Sequence, residues 1–97
     1  MPNSADSGGL WDAASLVVGS KYRTSVLETL TDRPATPSTI ESRTDIDIAH
    51  VSRSLSTMRE ERLVELAVPK DTKKGRIYRP TDRGERTLAL IEEAGMN

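Results

Sequence analysis

The stretch DIAHVSRSLSTMREERLVELAVPKDTKKGRIYRPTDRGE, residues 47–85, changes its period twice, and those changes decide the fold. Ile48, Val51, Leu55 and Met58 are spaced 3, 4 and 3 apart, a narrow apolar stripe along a helix for which Asp47 is the natural N-cap. After Leu63 the period falls to two. Val64, Leu66 and Val68 alternate with Glu65, Ala67 and Pro69, the pattern of a half-buried strand. Lys70 to Gly75 is a polar, Gly-ended loop, and Arg76 to Arg79 is a second strand centred on Ile77 that Pro80 ends. Thr81 caps a last helix, with Asp82 and Glu85 in the first turn, where the helix dipole favours acids, and Leu88, Leu90 and Ile91 on its apolar side. The expectation is a helix over 47–61, a hairpin over 63–80 with its turn at 71–75, and a helix over 81–94.

Working outward toward the N-terminus, Thr36-Pro37-Ser38 is a helix start, an N-cap followed by Pro at the first helical position, and predicts a helix over 37–44. Before it, Ser20 caps a stretch in which Tyr22, Val26 and Leu30 recur at helical spacing beside Leu27, and Asp32-Arg33-Pro34 stops it. Trp11, Ala14, Leu16, Val17 and Val18 form an apolar segment ahead of Gly19, so helix is expected over 10–31 with a break or bend near Gly19. Residues 1–9 (MPNSADSGG) are polar and Gly-rich and read as a disordered tail, leaving 10–97 as one domain. The expected core is Leu27, Leu30, Ile40, Val51, Leu55, Met58, Leu63, Leu66 and Ile77. The fold class is mainly α with a small β-hairpin: a winged helix-turn-helix.

Composition narrows the function classes. The 97 residues contain no Cys and a single His, which excludes disulfides, thiolate metal sites and a His-rich metal cluster, and no cofactor is expected. The longest apolar run, Ala13 to Val18, is far short of a membrane span, so no membrane partner is expected and the chain reads as cytoplasmic. With no paired carboxylates at an obvious pocket and no Gly-rich phosphate loop after a strand, the chain does not read as an enzyme. Net charge is −1, but it is unevenly spread. Residues 1–46 carry four basic and six acidic side chains, residues 47–86 carry ten and seven, and residues 70–86 alone carry seven and three. A basic stripe on an acidic chain is still an electrostatic footprint for phosphate.

The ordered segments resemble a family. ATPSTIE (35–41), DIAHVSRSLSTMREERLVE (47–65) and KKGRIYRPTDRGE (73–85) together look like the bracing helix, recognition helix and wing of winged-helix transcriptional regulators of the ArsR/MarR type, most like small archaeal members. Val51-Ser52-Arg53 with Leu55 is similar to a recurrent recognition-helix signature, and Tyr78, Thr81 and Gly84 match the Tyr-x-x-Thr-x-x-Gly at the wing exit. The resemblance covers about two-thirds of the chain. One position departs from it: Arg62 stands where the family has Gly, so either Arg62 adopts a left-handed conformation or the helix ends differently.

The resemblance implies a partner, double-stranded DNA, and the residues on the outer helix face fit it. At about 100° per residue, Ala49, Arg53 and Ser56 lie opposite the apolar stripe, with His50 and Ser52 flanking them. Small side chains let a helix sit deep in the major groove, and Arg53 suits either a guanine edge or a phosphate. The expected DNA contacts are Ser38, Ala49, His50, Ser52, Arg53 and Ser56, with Lys70, Lys73, Lys74 and Arg76 of the wing on the backbone or minor groove. A small polar face also suits any solvated helix, and lysines on an edge hairpin also prevent aggregation. The two features together favour DNA. The core available to so short a chain is thin, so a homodimer is expected through Trp11, Leu16, Val17, Leu88 and Ile91. The leading reading is a dimeric repressor with no visible effector site; the alternative is a winged-helix protein–protein interaction module without specific DNA binding.

Overall fold

A computed structural model describes residues 2–67 and 76–96, with side chains from Gly9 onward. The elements run α1 (Pro2–Val18), α2 (Lys21–Asp32), α3 (Pro37–Thr44), α4 (Ile48–Glu60), β1 (Val64–Leu66), β2 (Tyr78–Pro80) and α5 (Asp82–Ala94). This is the order of a winged helix-turn-helix. At the starts of α2 to α5, hydroxyls and a carboxylate accept from backbone donors that a helix start leaves open. Ser20 Oγ accepts from the N–H of Tyr22 at 3.2 Å, Thr36 Oγ1 from Thr39 at 3.2 Å, Asp47 Oδ2 from Ala49 at 3.1 Å, and Thr81 Oγ1 from Gly84 at 2.9 Å.

Two boundaries differ from expectation, and one expected feature is met. Helix α1 begins at Pro2 instead of Leu10, with the Pro at a first position where its missing N–H costs no bond. Of the break or bend expected near Gly19, the structure has the break, fixed by side chains that donate to the last carbonyls of α1. Arg23 Nε bonds Leu16 O at 2.7 Å and Thr24 Oγ1 bonds Val17 O at 3.1 Å. Pro80 does not end the second strand before itself but is its last residue, paired with Val64. The register explains why it is tolerated. Thr81 N bonds Leu63 O and Ala67 N bonds Ile77 O, so Val64–Pro80 is a pair that exchanges no ladder bonds and needs no N–H from Pro80. On its far side β2 gains a second partner that the sequence reading missed. Tyr78 and Ala35 exchange both backbone bonds, at 2.8 and 3.1 Å, and tie the α2–α3 connection to the hairpin.

The core fills the space between α2, α3 and α4 and continues between α1 and α5. Leu27, Leu30, Ile40, Val51, Leu55, Met58 and Leu63 are buried, each such side chain contributing about 1.5–3 kcal/mol. Leu66 and Ile77 are only half-buried, because a two-stranded sheet covers one face poorly toward its open end. Ile48, assigned to the apolar stripe, is 38% exposed. It opens α4 beyond the reach of the core, and Ile46 packs there instead. At the chain ends Ala13, Ala14 and Val17 of α1 pack with Leu88 and Ile91 of α5, all buried. The buried Thr87 keeps its hydroxyl satisfied by donating to Arg83 O at 2.8 Å. No helix among the described residues is long and apolar enough to cross a membrane.

Candidate nucleic-acid interface

Helix α4 is anchored by Val51, Ser54, Leu55 and Met58, which are buried, and that rotation leaves Ala49, Ser52, Arg53 and Ser56 exposed. Ala49, Arg53 and Ser56 are the residues expected on the outer face, and Ser52 is one of the two expected to flank them; the other, His50, is half-buried. Ile48 joins the exposed face, a residue sequence reasoning placed inside; its position at the very start of the helix was the available signal. From Ile48 to Arg59 the helix carries no carboxylate, and neither Arg53 nor Arg59 is in an ion pair among the described residues. The helix start is itself closed to an anion. Ile48 N donates to Glu41 Oε2 at 3.2 Å and Ala49 N to Asp47 Oδ2. Recognition along α4 therefore falls to side chains, not to free N-terminal amides.

His50 does not stand free beside this face. Its ring stacks on Tyr22 of α2, centroids 4.3 Å apart and planes 12° from parallel, with Lys21 Nζ 5.7 Å from the Tyr22 centroid. Ser38 is exposed in the first turn of α3, which packs beside α4. Of the wing residues, Arg76 is exposed, while Lys70, Lys73 and Lys74 and the expected turn at 71–75 lie outside the described residues. Two other basic side chains near the wing are already matched. Arg79 Nε meets Glu65 Oε2 at 2.9 Å across the hairpin, and Arg86 Nε meets Asp82 Oδ2 at 3.1 Å.

The junction of α4 with the wing is built from the residues that carried the family resemblance. Arg62 takes the left-handed conformation, φ 63°, the first of the two outcomes its departure from Gly allowed. Leu63 N bonds Met58 O at 2.8 Å and Arg62 N bonds Arg59 O at 3.0 Å, the paired bonds that close a helix through a left-handed residue. Thr81 Oγ1 then donates to Arg62 O at 2.6 Å, and Arg83 Nε to Glu61 O at 3.1 Å. Gly84 completes the joint: an added Cβ would lie 3.0 Å from the Leu63 carbonyl carbon and closer still to its oxygen. The wing is thus hinged rigidly to the end of the candidate recognition helix.

The residues expected at a dimer interface divide. Val17, Leu88 and Ile91 are buried within the single chain, because α1 and α5 cover one another. Trp11 is 49% exposed, and Leu16 is half-buried against the core. Among the described residues no group of three or more His, Cys, Asp or Glu side chains is placed to hold a metal ion.

Solved structures share this architecture. The transcriptional regulator YodB of B. subtilis, in its reduced form, matches with a TM-score of 0.74 at 21% identity over 88% of this chain and 84% of its own. A DNA-binding domain fragment of Mb0332 from Mycobacterium bovis, described as a homodimeric winged helix-turn-helix and a possible ArsR-family regulator, matches with a TM-score of 0.72 at 17% identity over 98% and 86%. The MarR-family regulator NMB1585 from Neisseria meningitidis matches with a TM-score of 0.66 at 22% identity; the chain covers 54% of its length, from 78% of its own. At such identities the likeness is one of fold. No curated protein sequence matches the chain. A family model described as the HVO_A0261 N-terminal domain matches residues 11–95.

Proposed function

The chain therefore belongs to the HVO_A0261 N-terminal domain family, and on that premise we propose that it is a sequence-specific DNA-binding transcriptional regulator, acting as a dimeric repressor in the cytoplasm of an archaeal cell. The observation that carries the reading is the outer face of α4: Ile48, Ala49, Ser52, Arg53 and Ser56 exposed together, free of carboxylates, on a helix fixed by three buried apolar side chains. Small side chains admit the helix to the major groove, Arg53 suits a guanine edge, and the exposed Ile48 suits a thymine methyl group. Ser38 on the bracing helix and Lys70, Lys73, Lys74 and Arg76 on the wing supply contacts to the backbone or an adjacent minor groove. Two copies meet through the outer surface of α1 around Trp11 and Leu16. No catalytic role, cofactor or effector is assigned.

The test is a titration of a duplex selected from a random pool, and of its scrambled counterpart, at several salt concentrations. A regulator binds the selected duplex the more tightly, and both affinities fall steeply with salt. Absence of binding to either duplex at low salt refutes the reading and leaves the protein–protein module in its place.

A further inference from the structure

The stack of His50 on Tyr22 divides the surface between α2 and α4 into two clefts of opposite character. On one side Lys21, Ser25 and Ile46 share the lining with Asp45 and Asp47. On the other, a cleft of about 240 Å³ is lined by Ser20, Tyr22, Arg23, His50, Arg53, Ser54 and Thr57, two guanidiniums and several hydroxyls without a carboxylate. We propose that this second cleft is a phosphate-binding subsite, which takes a backbone phosphate of the DNA strand bordering the groove that α4 enters. The inference rests on the DNA-binding reading above and extends the interface to α2, which that reading did not use.

Three features support it. Arg53 belongs both to the cleft and to the exposed face of α4, so a strand lying along Ala49 and Ser56 passes the cleft mouth. Arg23 is held in place before any ligand arrives, because its Nε donates to Leu16 O at 2.7 Å while an Nη lies beside Gly19. Preorganising a long side chain in this way removes much of the ordering cost of gripping an anion. The acid-bearing cleft across the stack repels the same anion, which fixes the side on which it sits.

The cleft also offers its chemistry to a free oxyanion, and the experiment separates the two sources. Binding of the selected and scrambled duplexes is measured between 50 and 200 mM salt for the full chain, for Arg23→Gln and for Thr57→Glu, which sets a carboxylate at the cleft wall. Each variant is checked for folding by circular dichroism. In parallel, inorganic phosphate is titrated against the free protein at constant ionic strength, with backbone amide shifts as the readout and chloride as the control. Loss of one phosphate contact lowers the salt slope by about 0.9, so over this fourfold salt range the wild-type dissociation constant rises about 3.5-fold more than that of Arg23→Gln. The loss is equal for both duplexes, a pattern that a purely structural Arg23 does not produce. Amide shifts at Ser20, Arg23 and Thr57 with phosphate, beside an unchanged DNA salt slope, retain the oxyanion site and overturn its DNA occupant. Unchanged slopes in both variants together with silent amides overturn the proposal. If the wild type binds no DNA, the functional reading fails and the phosphate titration alone decides the subsite.

Discussion

Replacing Arg62 by Gly raises the stability of the fold, and the size of the gain follows from two helix ends that use the same closure. Helix α5 ends through Gly95, φ 65°, with Met96 N bonded to Ile91 O and Gly95 N to Glu92 O. Helix α4 ends through Arg62 with the same pair of bonds, from Leu63 N to Met58 O and from Arg62 N to Arg59 O. For an L-residue the left-handed conformation costs roughly 1–2 kcal/mol. Gly removes that cost but gives the unfolded chain more freedom, offsetting about 0.5–1 kcal/mol. Among the described residues the Arg62 side chain is in no ion pair, so its loss subtracts little. The net expectation is a gain of about 0.5–1 kcal/mol, which at an m-value of about 1 kcal/mol/M moves the urea midpoint up by about 0.5–1 M. Arg62→Ala serves as the control: it deletes the side chain, keeps the strained conformation and leaves the midpoint where it is. Gly95→Ala goes the other way, losing about 1 kcal/mol from backbone strain alone, since nothing lies within 4 Å of its added Cβ. An Arg62→Gly midpoint at or below the wild-type value refutes the reasoning and means that the guanidinium, not the backbone, governs this position.

Gly84→Ala destabilises by about 3 kcal/mol or more, because the new methyl group meets the Leu63 backbone instead of a side chain that can swing away; a urea midpoint within 0.3 M of wild type, about 0.3 kcal/mol at such an m-value, excludes the close approach. Leu55→Ala removes a side chain only 2% exposed and costs about 2–5 kcal/mol in the same assay, whereas a cost under about 1 kcal/mol means the site collapses freely. Arg53→Ala loses about 1–3 kcal/mol on the selected duplex and relaxes preference at one base pair if the contact is to a base; an equal loss on every sequence assigns Arg53 to phosphate instead. Lys73→Ala and Lys74→Ala weaken all duplexes alike and each lower the salt slope by about 0.9, and unchanged slopes remove these lysines from the interface.

Where a side chain's effect is local, sequence and structure agree closely. The caps at Ser20, Thr36, Asp47 and Thr81 were legible because each satisfies backbone donors within three residues of itself. The outer face of α4 was legible because burial of Val51, Leu55 and Met58 fixes the rotation of everything between them. Periodicity failed at the first turn, where Ile48 keeps the stripe's angle but reaches past the end of the core. It also missed Ala35, whose pairing with Tyr78 joins positions far apart in the chain and carries no local pattern. The stacking of His50 on Tyr22 was hidden for the same reason, and with it the cleft that brings Arg23 beside Arg53.

The apolar residues at the two chain ends teach the same lesson about partners. Val17, Leu88 and Ile91 read as surface for a second chain only on the assumption that so short a chain has no second layer of its own. The break at Gly19 supplies that layer, turning α1 back so that Ala13, Ala14 and Val17 cover Leu88 and Ile91. Small residues do the work: Ala13 and Ala14 let α5 approach closely enough to bury the larger side chains that follow. What remains outside is Trp11, a large side chain half exposed on the same helix whose opposite face is fully used. A dimer through α1 therefore rests on one aromatic anchor with Leu16 beside it, the kind of centre on which most interface energy concentrates. Trp11→Ala accordingly shifts the chain toward monomer in light scattering, and its thermal midpoint falls to that of the monomer and stops depending on protein concentration. A fall in the midpoint with no change in molecular mass places Trp11 in the fold and removes α1 from the interface.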